Sequence, residues 1–104
     1  MQAEVNGKII ELSEAGWLNN LDEWSEELAV EIGKNEKIPE LTEEHWKLIN
    51  YLRDYYAKYG IAPMIRKLCK ETGFPLKKVY ELFPSGPAKG ACKVAGLSKP
   101  TGCV

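Results

Sequence analysis

The clearest helical signal in this chain is the stretch LTEEHWKLINYLRDYYAKYG, residues 41–60. His45, Leu48, Ile49, Leu52, Tyr55 or Tyr56, and Tyr59 recur at three- and four-residue steps. That spacing gathers them on one face of a helix. Thr42 is placed to cap it, Glu43 and Glu44 suit the positive end of its dipole, and Gly60 offers a stop. A helix with one apolar stripe needs partners to cover that stripe, and the rest of the chain must supply them.

Upstream, EVNGKIIEL places Asn6-Gly7 between short β-prone flanks. Both central positions of a type I′ turn need positive φ, so Asn-Gly predicts a hairpin. Residues 11–18 are expected to add a third short strand, with EAG as a second turn. From Leu21 the period changes: Leu21, Trp24, Leu28 and Ile32 form an apolar stripe opposite Asp22, Glu23, Glu26, Glu27 and Glu31. This predicts an amphipathic helix with Asn19 or Asn20 as N-cap. GKNEKIPE reads as a loop.

Downstream, IAPMIRKLCKETG predicts a helix with Pro63 at its start and Gly73 past its end. Ile61, Ile65, Leu68 and Cys69 are expected to share its stripe. FPLKKVYELFP gives a short helix opened by Pro75. SGPAKGACKVAG gives another, opened by Pro87 and ended by Gly96. The predicted fold class is α+β, mostly α: a small N-terminal β-hairpin or meander packed against an array of about five helices, with a flexible C-terminal arm. One domain over 1–104 is expected, with the meander in 1–18, the helical array in 19–96 and a mobile arm in 97–104.

The chain has 104 residues, 44% apolar and 28% charged, which fits a globular protein and excludes a disordered one. No apolar stretch has the length of a signal peptide core or a membrane span, so a cytoplasmic location is expected. In that compartment the three cysteines are expected to be thiols. Net charge is −1, but residues 1–58 carry 13 acids and 6 bases, and residues 59–104 carry 2 acids and 8 bases. The cationic half suggests an anionic partner: a nucleic acid, an acidic protein surface or a small oxyanion.

His45 is the only histidine. In the first turn of an amphipathic helix it reads as a packed or capping side chain in preference to a catalytic base. No metal site is expected, because Cys92 and Cys103 have ten residues between them and no paired histidines. No glycine-rich phosphate loop is present. Trp17, Trp24, Trp46 and the tyrosines sit mostly at helical spacing, which favours core packing over base stacking. The two short helices of the basic half also permit a helix-turn-helix reading, with Lys77 and Lys78 meeting phosphates. Few Arg, Asn or Gln are there to read base edges, which weighs against sequence-specific DNA binding.

The three cysteines differ in their settings. Cys69 falls on an apolar stripe and is expected to be buried. Cys92 lies on a helix rich in Ala and Gly, close to Lys89 and Lys93, and Cys103 is next to last. Eleven peptide steps separate them, so an extended arm spans about 36 Å. Folded back, it can bring both sulfurs together against roughly 3 kcal/mol of loop entropy. A disulfide, or a bridge with an extra sulfur, offsets that and is reopened by thiol exchange. Gly96 and Gly102 permit bends, and Pro100 limits them. Lys89, Lys93 and Lys99 are expected to favour thiolate and to attract anionic sulfur species. The residues support a redox-active or group-carrying arm and leave the group open.

LFPSGPAKGACKVAGLSKPTGCV closely resembles the C-terminus of the DsrC/TusE family, named for the gamma component of dissimilatory sulfite reductase and its sulfur-relay relatives. LTEEHWKLINYLRDYYAKYGIAPMIRKLCK is similar to the family's middle section, and the NGK and DEW segments fit its N-terminal region. The resemblance implies a β-meander packed against helices. It also implies a sulfur carrier and co-substrate of sulfite reductase with no self-contained active site and no bound cofactor. Sirohaem and iron–sulfur cluster would belong to the partner.

By that resemblance Cys103 enters the active-site channel of the catalytic alpha and beta subunits and accepts sulfur. Cys92 then closes an intramolecular trisulfide, which a membrane-bound reductase complex opens. TusE-type members keep only the penultimate cysteine and pass persulfide sulfur on, through other sulfurtransferases, toward tRNA thiolation. Having both cysteines favours the DsrC branch, and the absence of extra residues before LF leans toward the reductive direction. Ser98 stands where the family usually has proline. Arg66, in APMIRKL, matches a family position and is a candidate to meet the tail's charge, an ordinary surface arginine being the alternative. A redox-sensitive DNA-binding regulator is the reading from a different class.

Overall fold

The computed structural model describes residues 2–14, 16–86 and 90–97. Strand β1 (Gln2–Val5) pairs antiparallel with β2 (Lys8–Glu11), with Val5 opposite Lys8 and Ala3 opposite Ile10. Asn6 and Gly7 have φ of 51° and 83°, as a type I′ turn demands. Ala3 and Ile10 are buried on the inner face, and β1 packs against the first helix.

The third strand expected in 11–18 is reduced to one isolated bridge, Leu12 to Leu18. Ser13 accounts for this: its backbone N–H donates to Trp17 O at 2.7 Å, and its hydroxyl accepts from the Trp17 N–H at 3.0 Å. The turn closes too tightly for a ladder to extend.

The helix expected from Leu21 is split in two. Leu21–Glu23 forms a single 3₁₀ turn, with the Asn20 side chain accepting from Asp22 N–H. Trp24 is extended, and helix α1 (Glu26–Asn35) starts afresh with Ser25 as its N-cap, its hydroxyl accepting from Leu28 N–H at 3.1 Å. Leu28, Ala29 and Ile32 face the core.

Helix α2 (Glu43–Tyr59) follows the expected span and ends at Gly60 in the left-handed conformation. Leu48, Ile49 and Leu52 are buried, but Tyr59 lies in the last turn beyond the core and is exposed, its ring tilted 44° against that of Tyr55 at 4.5 Å between centres. Helix α3 (Ile65–Thr72) is capped at Met64 and stops at Gly73. Ile61 therefore falls in the link before α3 rather than on its stripe, and it is 62% exposed. Helix α4 (Leu76–Leu82) opens after Pro75, and α5 (Cys92–Val94) is the last described element. Contacts run α2 to α3, α3 to α4, and α5 to both α1 and α2, so α5 packs against each of the two longest helices. The fold class is the expected one, α+β and mostly α.

Candidate functional site

Small residues let α5 lie this deep. Ala91, Val94 and Ala95 have no exposed surface, and Leu97 is buried with them. The helix ends in a Schellman arrangement. Gly96 N–H donates to Lys93 O at 3.1 Å and Leu97 N–H to Cys92 O at 3.0 Å, while Leu97 supplies the apolar contact that accompanies such caps. Gly96 has φ of 75°, and a Cβ there would run into the Trp24 indole.

Three side chains from elsewhere grip this segment. Trp24 Nε1 donates to Val94 O at 3.0 Å. Arg53 of α2 donates to Ala95 O at 2.8 Å, and its guanidinium lies 3.7 Å from the centre of the Trp24 ring. Burial lowers the Arg53 pKa from its ordinary value, with Asp54 acting in the opposite sense. Lys93 Nζ lies 2.8 Å from Glu36 Oε1 at the end of α1, in a pair that is ionic rather than aligned as a hydrogen bond. The same ammonium is 5.5 Å from the Trp17 ring centre. A cleft lined by Leu21, Asp22, Arg53, Tyr56 and Leu97 opens beside this grip.

Cys92 is inside it. The residue is 3% exposed, and burial pushes its thiol up to about 12 from an ordinary 9.0. A thiolate has to be solvated or paired, and burial here does neither. The Lys93 charge is held by Glu36 and Trp17, and desolvation governs the Cys92 sulfur.

The other sequence-marked residues fall as follows. Cys69 is half-buried on α3, more open than its stripe suggested. His45 is buried and spent on structure. Thr42 N–H donates to Nδ1 at 3.0 Å, which puts the ring proton on Nε2, 2.8 Å from Leu82 O, and the ring meets Phe83 edge-on. Arg66 is exposed near the start of α3, away from the grip on α5 in sequence and element. Lys78 is ion-paired with Glu44 of α2 at 3.0 Å, and Lys77 is exposed. Cys103, Lys89 and Lys99, together with Pro87, Ser98, Pro100 and Gly102, lie outside the described residues. Among the described residues no three His, Cys, Asp or Glu side chains converge as a metal site, and no helix is long and apolar enough to cross a membrane.

Sequence reasoning missed Trp24, Arg53 and Glu36 as partners of the cysteine segment. Their contacts span 70, 42 and 57 residues, which periodicity cannot sense. The only signal was that DEW, which contains Trp24, was already among the segments with a family resemblance.

Fold and site together define a class: a hairpin-plus-helices domain with a buried cysteine on its last described helix and another cysteine eleven residues further on. The model of the family described as DsrC like protein matches residues 4–104. The chain is 56% identical over 98 residues to the dissimilatory-type sulfite reductase subunit gamma of Nitratidesulfovibrio vulgaris (strain Hildenborough), covering 94% of this chain and 93% of that one. It is 43% identical over 105 residues to the sulfurtransferase TusE of Escherichia coli (strain K12), covering 94% and 95%. The crystal structure of the oxidized gamma subunit of the dissimilatory sulfite reductase from Archaeoglobus fulgidus superposes with a TM-score of 0.89 at 50% identity, covering 100% of both chains. The chain belongs to the DsrC family. None of these relatives supports the DNA-binding reading.

Proposed function

We propose that this protein is a sulfur carrier acting as co-substrate of dissimilatory sulfite reductase, with Cys103 as sulfur acceptor and Cys92 as the residue that closes a trisulfide. The observation carrying this reading is a family match that runs through residue 104, on a chain that keeps both cysteines. In the balanced step, sulfite, two thiols, four protons and two electrons give the trisulfide and three waters. The electrons come from a donor through the reductase, and the other two electrons that bring sulfur to the zero-valent state come from the thiols. Four electrons and four protons then release hydrogen sulfide and restore both thiols. A membrane-bound thiol reductase complex is the proposed source of those electrons, and the cytoplasm, where thiols stay reduced, is the proposed location.

Sirohaem and iron–sulfur chemistry belong in this scheme to the catalytic alpha and beta subunits. Arg66, Lys89 and Lys99 are proposed as neighbours of anionic sulfur species. Lys93, whose ammonium lies 2.8 Å from Glu36, is proposed to join them when that pair opens. A second reading, a persulfide relay, draws on the likeness to TusE.

Intact mass after incubation with sulfite, an electron donor and the sulfite reductase tests the proposal. Gain of one sulfur with loss of two hydrogens is expected, and it should need both cysteines. Cys103→Ala should abolish loading, whereas Cys92→Ala should carry a persulfide and no internal bridge. Loading from a persulfide donor but never from sulfite would move the protein to the relay.

A further inference from the structure

The proposed bridge requires a bond to the Cys92 sulfur, yet that residue is 3% exposed and belongs to the buried core cluster. Bond formation needs an open line of approach, so α5 must shift for Cys92 to react. What keeps it in place is not the helix itself. The described helical run here, Gly90 and Ala91 in π geometry followed by Cys92–Val94, lies far below the length at which backbone hydrogen bonds sustain a helix.

The retaining contacts are instead three tethers from three other places in the chain. Trp24 holds the Val94 carbonyl, Arg53 holds the Ala95 carbonyl, and Glu36 holds the Lys93 ammonium. Trp24 and Arg53 also stack on one another, so loosening either weakens both. All three act on the residues directly after Cys92, the root from which the arm continues.

We infer that Trp24, Arg53 and Glu36 are positioning residues that form a latch on α5, keeping Cys92 shut away until the segment is released. Joined to the carrier reading above, on which this consequence rests, the latch sets an order: Cys103 is loaded while Cys92 is closed, and Cys92 closes the bridge after release. It also keeps Cys92 from competing as a first acceptor and from stray oxidation. The latch itself involves no sulfur chemistry and can be tested apart from it.

The experiment uses the full chain with Cys69→Ala and Cys103→Ala, leaving Cys92 as its one thiol, and follows alkylation by an uncharged maleimide. The closed segment should react far more slowly than the same chain in denaturant. Glu36→Gln and Trp24→Phe should each speed labelling by about tenfold, the upper end of what one hydrogen bond or buried contact contributes. Glu31→Gln, which removes the exposed Lys34–Glu31 pair from the same helix, should leave the rate unchanged.

Labelling through local opening should be flat in low denaturant, because little surface is exposed, whereas labelling through global unfolding rises steeply. Free-thiol reactivity in the parent chain would overturn the latch. So would unchanged rates in folded Glu36→Gln and Trp24→Phe, or a steep denaturant dependence. A latched Cys92 in a protein that never loads sulfur would remove the carrier reading and keep the latch. Loading with a freely reactive Cys92 would do the reverse.

Discussion

Taking the Cys92 sulfur out of water costs its anion far more than its thiol, and this fixes how the folded protein responds to base. Above pH 9.0 the unfolded chain releases the proton while the folded chain keeps it, up to about pH 12. The contribution of Cys92 to stability is therefore whole below pH 9.0 and is lost as pH rises toward 12. The stability advantage of the native protein over Cys92→Ala should shrink by about 1.4 kcal/mol per pH unit in that window. Denaturant titrations of both proteins at several pH values measure it, and a constant difference would contradict the buried thiol. Gly96 allows a second test at this scale. Its left-handed backbone and the adjacent indole mean that Gly96→Ala should cost roughly 2–4 kcal/mol. Gly73 has a similar φ with open space around it, so Gly73→Ala should cost about 1 kcal/mol. Comparing the two melts separates collision from conformation. The two glycines read alike in the sequence, as helix stops, because the sequence holds the turn signal but not the tryptophan brought from 72 residues away.

Where an element's ends are set by its own residues, the sequence reading holds. Thr42, His45 and Gly60 define α2 from within, and Asn6-Gly7 define the hairpin. Where a distant contact decides, it does not. The stripe from Leu21 to Ile32 has the period of one continuous helix, yet Trp24 leaves helical geometry so that its indole can reach Val94. Ser25 then starts α1 again. Ser25→Ala should consequently cost about 1 kcal/mol, the usual worth of an N-cap. Asn20→Ala, at an exposed single turn, should stay within about 0.5 kcal/mol. Equal losses in urea melts would argue for the continuous helix after all. Ile61 teaches the same lesson in reverse: its apolar character invited a place on α3, but Gly60 turns the chain before that helix begins.

Across the whole molecule, the division into an acidic first half and a basic second half is resolved by folding the halves together. Lys93 meets Glu36, and Lys78 meets Glu44, each pair joining one half to the other. The cationic surface that the sequence suggested is thus partly consumed inside the protein. This changes the outlook for nucleic acid, since Lys78 was one of two lysines placed to meet phosphates. To contact DNA it would have to give up Glu44, and Lys77 alone releases too few counterions for binding at physiological salt. A gel shift with duplex DNA should show weak, unselective retention that disappears as salt rises. Glu44→Gln, which frees Lys78, should strengthen retention at low salt without making it selective. Sequence-selective binding that survives physiological salt would restore the regulator reading, because it could come only from base contacts that α4 does not offer in its present packing.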